Sequence, residues 1–311
     1  MSFDLAALRA AVDEHGRVIR VVIARIRGSS PREVGASMLV WPGGQSGTIG
    51  GGALEYQAAE RARTLDDDCL SQHALGPELG QCCGGHLSLL SEVYDTTRLD
   101  GLEGPIVARP AGRAAAMPLS VQRLLAQARN AGAMPTPGLY DGWMVEQVHA
   151  PTRSLWIWGA GHVGRALVSV MAPLPDFDIT WVDTSADRFP TDIPSSVTCL
   201  PAAEPSRLMA HAPHHAEHLI VTYSHALDLD LCHGALTRGF RFAGLIGSAT
   251  KWARFRARRA ALGHAPEVIG KITCPIGQPQ LGKHPQAIAL GVGTALLTSQ
   301  IHTSSVLEKR A

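Results

Sequence analysis

The chain has 311 residues, a formal charge of +1, 45% apolar residues and 18% charged ones. That length accommodates two domains, each with its own core, and the near-neutral balance argues against a general nucleic-acid binder, which would carry a basic excess. No apolar run approaches the roughly eighteen residues of a membrane span, and Met1-Ser2-Phe3-Asp4 lacks the features of a secretion signal, so cytoplasmic residence without membrane contact is expected.

Asp4 to Glu14 places Leu5, Leu8 and Val12 on one helical stripe, and Arg17 to Arg27 reads as a β-branched, mostly apolar strand. Gly28-Ser29-Ser30-Pro31-Arg32-Glu33-Val34-Gly35 is a loop of small residues, and Ser37 to Trp41 a second short strand. Gly47-Thr48-Ile49-Gly50-Gly51-Gly52-Ala53-Leu54-Glu55 opens a helix reaching about Leu65; its consecutive glycines predict an anion cradle, although no nucleotide P-loop pattern is present. Asp66-Asp67-Asp68 predicts a solvated loop.

Gly80-Gln81-Cys82-Cys83-Gly84-Gly85-His86 precedes a strand from Leu87 to Tyr94. Neighbouring side chains in an extended segment point opposite ways, so one thiol can pack inward while the other faces a pocket. The bland alternative is two small apolar residues in a turn. The other four cysteines, Cys69, Cys199, Cys232 and Cys274, are scattered, and without a CxxC neither a disulfide framework nor a structural zinc site is expected. Glycines and prolines cluster from Gly101 to Gly142, around a helix from Leu119 to Asn130. Trp143 to His149 is a strand, and Pro151 marks a boundary.

Leu155 to Trp158 is a short apolar run followed at once by Gly159-Ala160-Gly161-His162-Val163-Gly164 and a helix-compatible segment to Met171. Ile179 to Val182 forms the next run, ending on Asp183 where a ribose-binding acid is expected. Glycines permit a tight turn and close approach of backbone to a pyrophosphate, and the following helix aims its positive end at that anion. Apolar strands then recur at Val197–Leu200, Leu219–Tyr223 and Phe242–Ile246, with a helix at Asp228–Thr237 and a basic helix after Gly247-Ser248, from Ala249 to Leu262. Alternating strands and helices imply a parallel sheet covered on both faces. Its ligand end would collect Gly159 to Gly164, Asp183, Tyr223-Ser224-His225 and Gly247-Ser248.

The expected architecture is therefore α/β: an N-terminal α+β domain (1–110), a linker with a short helix and strand (111–152), and a Rossmann-like parallel-sheet domain (153–311). His211, His214, His215 and His218 have metal-clasp spacing for a helix, but Pro213 interrupts it. Lys251, Arg254, Arg256, Arg258 and Arg259 read as the solvated face of an amphipathic helix, or as a docking face for an acidic partner.

Together these stations resemble the xanthine dehydrogenase accessory proteins, the XdhC/CoxI family. Gly28 to Arg32 with Gly35-Ala36-Ser37-Met38, and Gly47 to Gly52 with Glu55, are similar to its N-terminal domain; Leu155 to Gly164 and Gly244-Leu245-Ile246-Gly247-Ser248 with Lys251 are similar to its Rossmann domain. Cys274-Pro275-Ile276-Gly277, Lys283-His284-Pro285 and Ile288-Ala289 resemble its closing segment, and Gly80 to Gly85 the branch serving bacterial xanthine dehydrogenase. The resemblance implies a molybdenum cofactor (molybdopterin) chaperone rather than an enzyme. It would shield the cofactor during sulfuration, meet a cysteine desulfurase, and deliver to the xanthine dehydrogenase large subunit; a homodimer is expected.

It further implies cofactor contacts from Ser29, Ser30, Arg32, Gly50, Gly51, Gly52, Glu55, Gln81, Cys82 and Cys83, and from Gly159, Gly161, Gly164, Asp183, Gly247 and Ser248. The two thiols Cys82 and Cys83 are the metal candidates, because Ala53 stands where some members carry cysteine. Gly161 and Asp183 suit a nucleotide such as NAD(P) equally. The competing classes are thus an NAD(P)-dependent oxidoreductase, for which His162 and His225 are the proton-transfer candidates without an orienting acid, and a nucleotide-sensing regulatory protein.

Overall fold

In the computed structural model, which describes residues 3–75, 84–112, 116–261 and 263–308, the chain divides into two units, Met1–His149 and Ala150–Ala311. The fold is mixed α/β, with antiparallel sheets in the first unit and a parallel Rossmann sheet in the second.

The first unit runs α1 (Leu5–His15), β1 (Val18–Arg27), β2 (Ser37–Trp41), β3 (Gly44–Gly47), α2 (Gly52–Ala62), β4 (Cys69–Ala74), β5 (His86–Tyr94), α3 (Thr96–Asp100), β6 (Ile106–Pro110), α4 (Leu119–Ala131), β7 (Gly138–Tyr140) and β8 (Trp143–Gln147). Strands β3-β2-β1-β5-β4 form one antiparallel sheet in that order, and β6-β8-β7 a second. The central strand β1 is buried from Val18 to Ala24 because both of its faces are covered. Ile19, Val21 and Ile23 join Leu54, Ala58 and Ala62 of α2 in one core, while Val22 and Ala24 meet Leu90 and Met144 in another.

Between the two sheets lies a charged cluster. Glu146 accepts from Arg20 at 2.9 and 3.0 Å and also from Arg109; Glu92 accepts from Arg20 at 3.1 Å and from Arg109 at 2.5 and 2.8 Å. All four side chains are buried, and the Phe3 ring lies against both guanidiniums. The segment set apart above as a linker, 111–152, falls within the first unit as far as His149 and carries two strands, of which β8 pairs with β6 and β7 with β8. Its glycines and prolines serve the turns of a small sheet that Arg109 and Glu146 fasten in place. The aspartate run is also more structured than a solvated loop: Asp68 takes a two-pronged ion pair from Arg98, at 2.7 and 2.8 Å, and accepts from the Val93 amide.

The second unit runs β9 (Arg153–Trp158), α5 (His162–Met171), β10 (Phe177–Asp183), β11 (Val197–Pro201), α6 (Pro205–Leu208), β12 (Glu217–Ile220), α7 (His225–Arg238), β13 (Phe242–Leu245), α8 (Ala249–Ala261), α9 (Pro266–Ile269), β14 (Ile272–Thr273) and α10 (Pro285–Glu308). The six strands are all parallel, in the order β11-β10-β9-β12-β13-β14. Counted from β9, that is the 3-2-1-4-5-6 order of doubly wound dinucleotide-binding sheets, whose ligand crevice lies where the order reverses, here between β9 and β12. Leu155, Ile157, Ile179 and Trp181 face α5 and α10, while Trp156, Trp158, Val182 and Ile220 face α7, α8 and α9. Among the described residues no helix is long and apolar enough to cross a membrane.

Candidate functional site

Pairing of Arg27 with His86 and of Met38 with Gly47 brings three loops to one end of the five-stranded sheet: 28–36, 48–51 and the approach to β5 through Gly84 and Gly85. They touch closely enough to require glycine. Gly50 has φ +128°, and a Cβ there would lie 2.6 Å from the Pro31 ring; a Cβ on Gly85 would overlap the Ser29 carbonyl. Ser29, Ser30, Arg32 and Gly50 are thus gathered at this end, with the Ser30 hydroxyl donating to the Arg32 carbonyl at 2.8 Å. Gln81, Cys82 and Cys83 lie outside the described residues.

The glycine turn of this unit holds an anion of its own. One Glu55 oxygen accepts from the Ile49 and Gly51 amides, each at 2.9 Å, and from the Thr48 hydroxyl at 2.5 Å. Burial raises the Glu55 pKa, but these hydrogen bonds outweigh it and keep the carboxyl below its ordinary range. One of the glycine amides expected to cradle a phosphate, that of Gly51, therefore binds a side chain of α2, as does the neighbouring Ile49 amide. Two cations that sequence reading passed over stand nearby on the same sheet end: Arg25 and Arg27, with His86, Gln72 and Ser88, line a cavity of about 210 Å³. Arg25 and Arg27 are two apart on β1, but His86, Ser88 and Gln72 reach them only through the β1–β5–β4 pairing. Arginine forks and an imidazole fit a phosphate ester; the Glu55-filled turn does not. Of the groups a molybdenum cofactor would present, the phosphate is the one whose chemistry matches these donors.

In the second unit the turn after β9 is built as expected. Gly159 has φ +115°, and its N–H continues the ladder to the Val182 carbonyl at 2.7 Å. Gly161 caps α5, and Gly164 packs against Gly159, whose carbonyl accepts from the Trp181 indole at 3.0 Å. Asp183 does end β10, but both of its oxygens are engaged within the chain. One accepts from the Ala160 amide at 2.5 Å, the other from the Thr184 amide and hydroxyl at 2.6 and 3.0 Å, with Arg188 at 3.5 Å. The carboxylate is 4% exposed. Its evident work is to fasten the glycine turn, so Asp183→Ala is expected to lower the unfolding free energy by about 1.5–3 kcal/mol, the worth of hydrogen bonds to a charged group. Urea denaturation measures this, and a variant as stable as its parent would restore the ribose role.

Gly247 and Ser248 follow β13, and the Ser248 hydroxyl accepts from the Lys251 amide at 3.2 Å. Lys251 donates to Asp228 at 2.6 Å and to the Ile246 carbonyl at 2.9 Å; Asp228, fully buried, also accepts from the Thr222 hydroxyl at 2.7 Å. His162 and His225 are exposed, and among the described residues neither is hydrogen-bonded to a carboxylate. The histidine run is dispersed over a short helical turn, a loop and a strand. His218 is buried in β12, where it accepts from the Trp158 indole at 3.2 Å and burial pushes its pKa down to about 4.

Two family models match the chain: residues 11–72 match the XdhC and CoxI family, and residues 155–295 the XdhC Rossmann domain. No curated protein matches. Among solved structures, that of a xanthine dehydrogenase from Bacillus halodurans aligns over 97% of this chain and 96% of its own, with a TM-score of 0.70 and 19% identity, a likeness of fold. An NADP complex of a short-chain dehydrogenase/reductase from Veillonella parvula aligns over 43% of this chain and 61% of its own, at 16% identity and a TM-score of 0.26. With both family segments present in order, this chain belongs to the XdhC and CoxI family.

Proposed function

We propose that the protein binds the molybdenum cofactor, protects it during sulfuration and delivers it to xanthine dehydrogenase. Family membership supports an accessory role in xanthine dehydrogenase maturation rather than catalysis. The observation that carries the cofactor reading is the arginine cavity beside the three converging loops. In this reading Arg25 and Arg27 hold the phosphate by charge-assisted hydrogen bonds, with His86, Gln72 and Ser88 completing the donors. Ser29, Ser30 and Arg32 line the adjoining loop and exclude water. The bound cofactor supplies the molybdenum centre on which the recipient enzyme depends. Cys82 and Cys83 are the proposed thiol contacts to sulfur or metal, and a cysteine desulfurase the proposed sulfur source. The Rossmann strand order favours a bound nucleotide as a second reading for the other unit.

The test is molybdenum by plasma mass spectrometry and pterin by fluorescence, on protein co-expressed with cofactor synthesis and purified without a histidine tag. Near-stoichiometric amounts of both are expected, falling at least about tenfold in Arg25→Gln/Arg27→Gln, since two charged contacts are lost. Neither present, with a nicotinamide nucleotide released on denaturation, would transfer the assignment to an NAD(P)-dependent oxidoreductase.

A further inference from the structure

Helix α8 begins at the carboxyl end of the parallel sheet, and Phe255, buried in the core beneath it, fixes its rotation. Lys251, Arg254 and Arg258 follow one another at i, i+3 and i+7, so they form one stripe along the helix. With His225, Ser248 and Thr250 they line a cavity of about 230 Å³, one wall of which is the Phe255 ring. Among the described lining residues there is no carboxylate. Lys251 is neutralised by Asp228 at 2.6 Å. Arg254 and Arg258 are exposed, and among the described residues neither takes part in a hydrogen bond or ion pair. Two uncompensated guanidiniums thus face a concavity in a chain whose formal charge is only +1.

A solvated basic face needs no such concentration. Arg256, on the same helix, is exposed but does not line the cavity. Helices α7 and α8 both start at this cavity, at His225 and just after Ser248, so two positive dipole ends add to the side-chain charge. The volume is below the roughly 300–1,000 Å³ of sites that enclose a whole small molecule, which suits a head group. Two forked cations match a doubly charged, multi-oxygen acceptor better than a single carboxylate.

We propose that this cavity binds a phosphoryl dianion, free or as the end of a small phosphomonoester, at a site separate from the Gly159–Gly164 turn. It lies at the ends of β12 and β13, whereas that turn follows β9. The proposal does not depend on the cofactor reading of the first unit.

The test is calorimetric titration of the full chain at low ionic strength with inorganic phosphate and, separately, glycerol 3-phosphate. Saturable binding is expected, weakened at least about tenfold in Arg254→Gln/Arg258→Gln and unchanged in Arg256→Gln. Arg254→Lys/Arg258→Lys, which keeps charge but loses the forks, should fall between. Circular dichroism confirms that the variants are folded, as expected for exposed positions. Tighter binding of the ester assigns the site to phosphomonoesters, and equal binding to free phosphate. No saturable binding of either anion, equal affinity in the glutamine double variant, or equal loss in Arg256→Gln would overturn the proposal.

Discussion

Glu146→Ala is expected to lower the unfolding free energy by about 3–5 kcal/mol, the cost of stranding a buried charge whose partner is removed. Glu146 is 0% exposed and meets both Arg20 and Arg109. Without it two buried guanidiniums would share the single carboxylate Glu92, and Arg109 already has one buried nitrogen, Nη1, without a partner. Guanidinium chloride denaturation of the variant against its parent measures the loss, and a change within about 0.5 kcal/mol would place the cluster among harmless surface pairs.

The same cluster sets an acid limit. Burial favours the protonated form of Glu92, but Arg109 and then Arg20 outweigh it and hold the pKa down to about 2, against about 4.3 for an unperturbed glutamate. A carboxylate depressed in the folded state stabilises fully above the unfolded value. That contribution is lost as pH falls from about 4.3 through about 2.

Gly164→Ala is expected to damage the second unit by at least about 1–3 kcal/mol, the usual cost of forcing an atom into a packed site. The added Cβ would overlap the Gly159 carbonyl oxygen and crowd the Trp181 indole at 3.4 Å, so helix α5 would have to lift from β9. Gly161→Ala is the contrasting case: at φ −74° nothing lies within 4 Å of its added Cβ. Its cost in stability should stay below about 1 kcal/mol, the difference between capping residues. Thermal denaturation of the two variants compares them. Equal destabilisation would mean that the turn does not pack as described.

The Rossmann half was legible because glycine spacing and apolar runs there coincide with strand ends. Strand β12 shows where that signal stops. It begins at Glu217 and His218, two residues before the apolar run, since Arg153 pairs with Glu217 at 2.6 Å and Trp158 with His218. A polar residue satisfied by a distant partner looks like a loop in sequence. Strands β4 and β6 were hidden for related reasons: Cys69–Ala74 has one large apolar residue, Leu70, and it faces outward, while Ile106–Pro110 carries a buried arginine amid prolines and glycines.

The site was less legible than the fold. Glu55 and Asp183 were expected to contact ligand and instead bind the backbone of the turns beside them. A carboxylate that grips a glycine turn and one that grips a ribose have the same sequence signature. The arginine cavity was only half visible: Arg25 and Arg27 share one face of β1, but His86, Ser88 and Gln72 join them only across paired strands.

The distribution of tryptophan gives the chain an intrinsic optical label. Of its six indoles, Trp156, Trp158 and Trp181 are buried in the second unit's core, with Trp252 packed beside them, whereas Trp41 and Trp143 are half-buried in the first unit. Emission therefore reports mainly on the Rossmann sheet. His218, held neutral against Trp158 with its pKa depressed to about 4, must take up a proton when that sheet opens in acid. Its contribution to stability is full above about 6.5 and fades toward 4. On mild acidification the red shift of the spectrum should precede the loss of ellipticity from the charge-clamped first unit, and the interval between the two signals would show how independently the halves of this chain unfold.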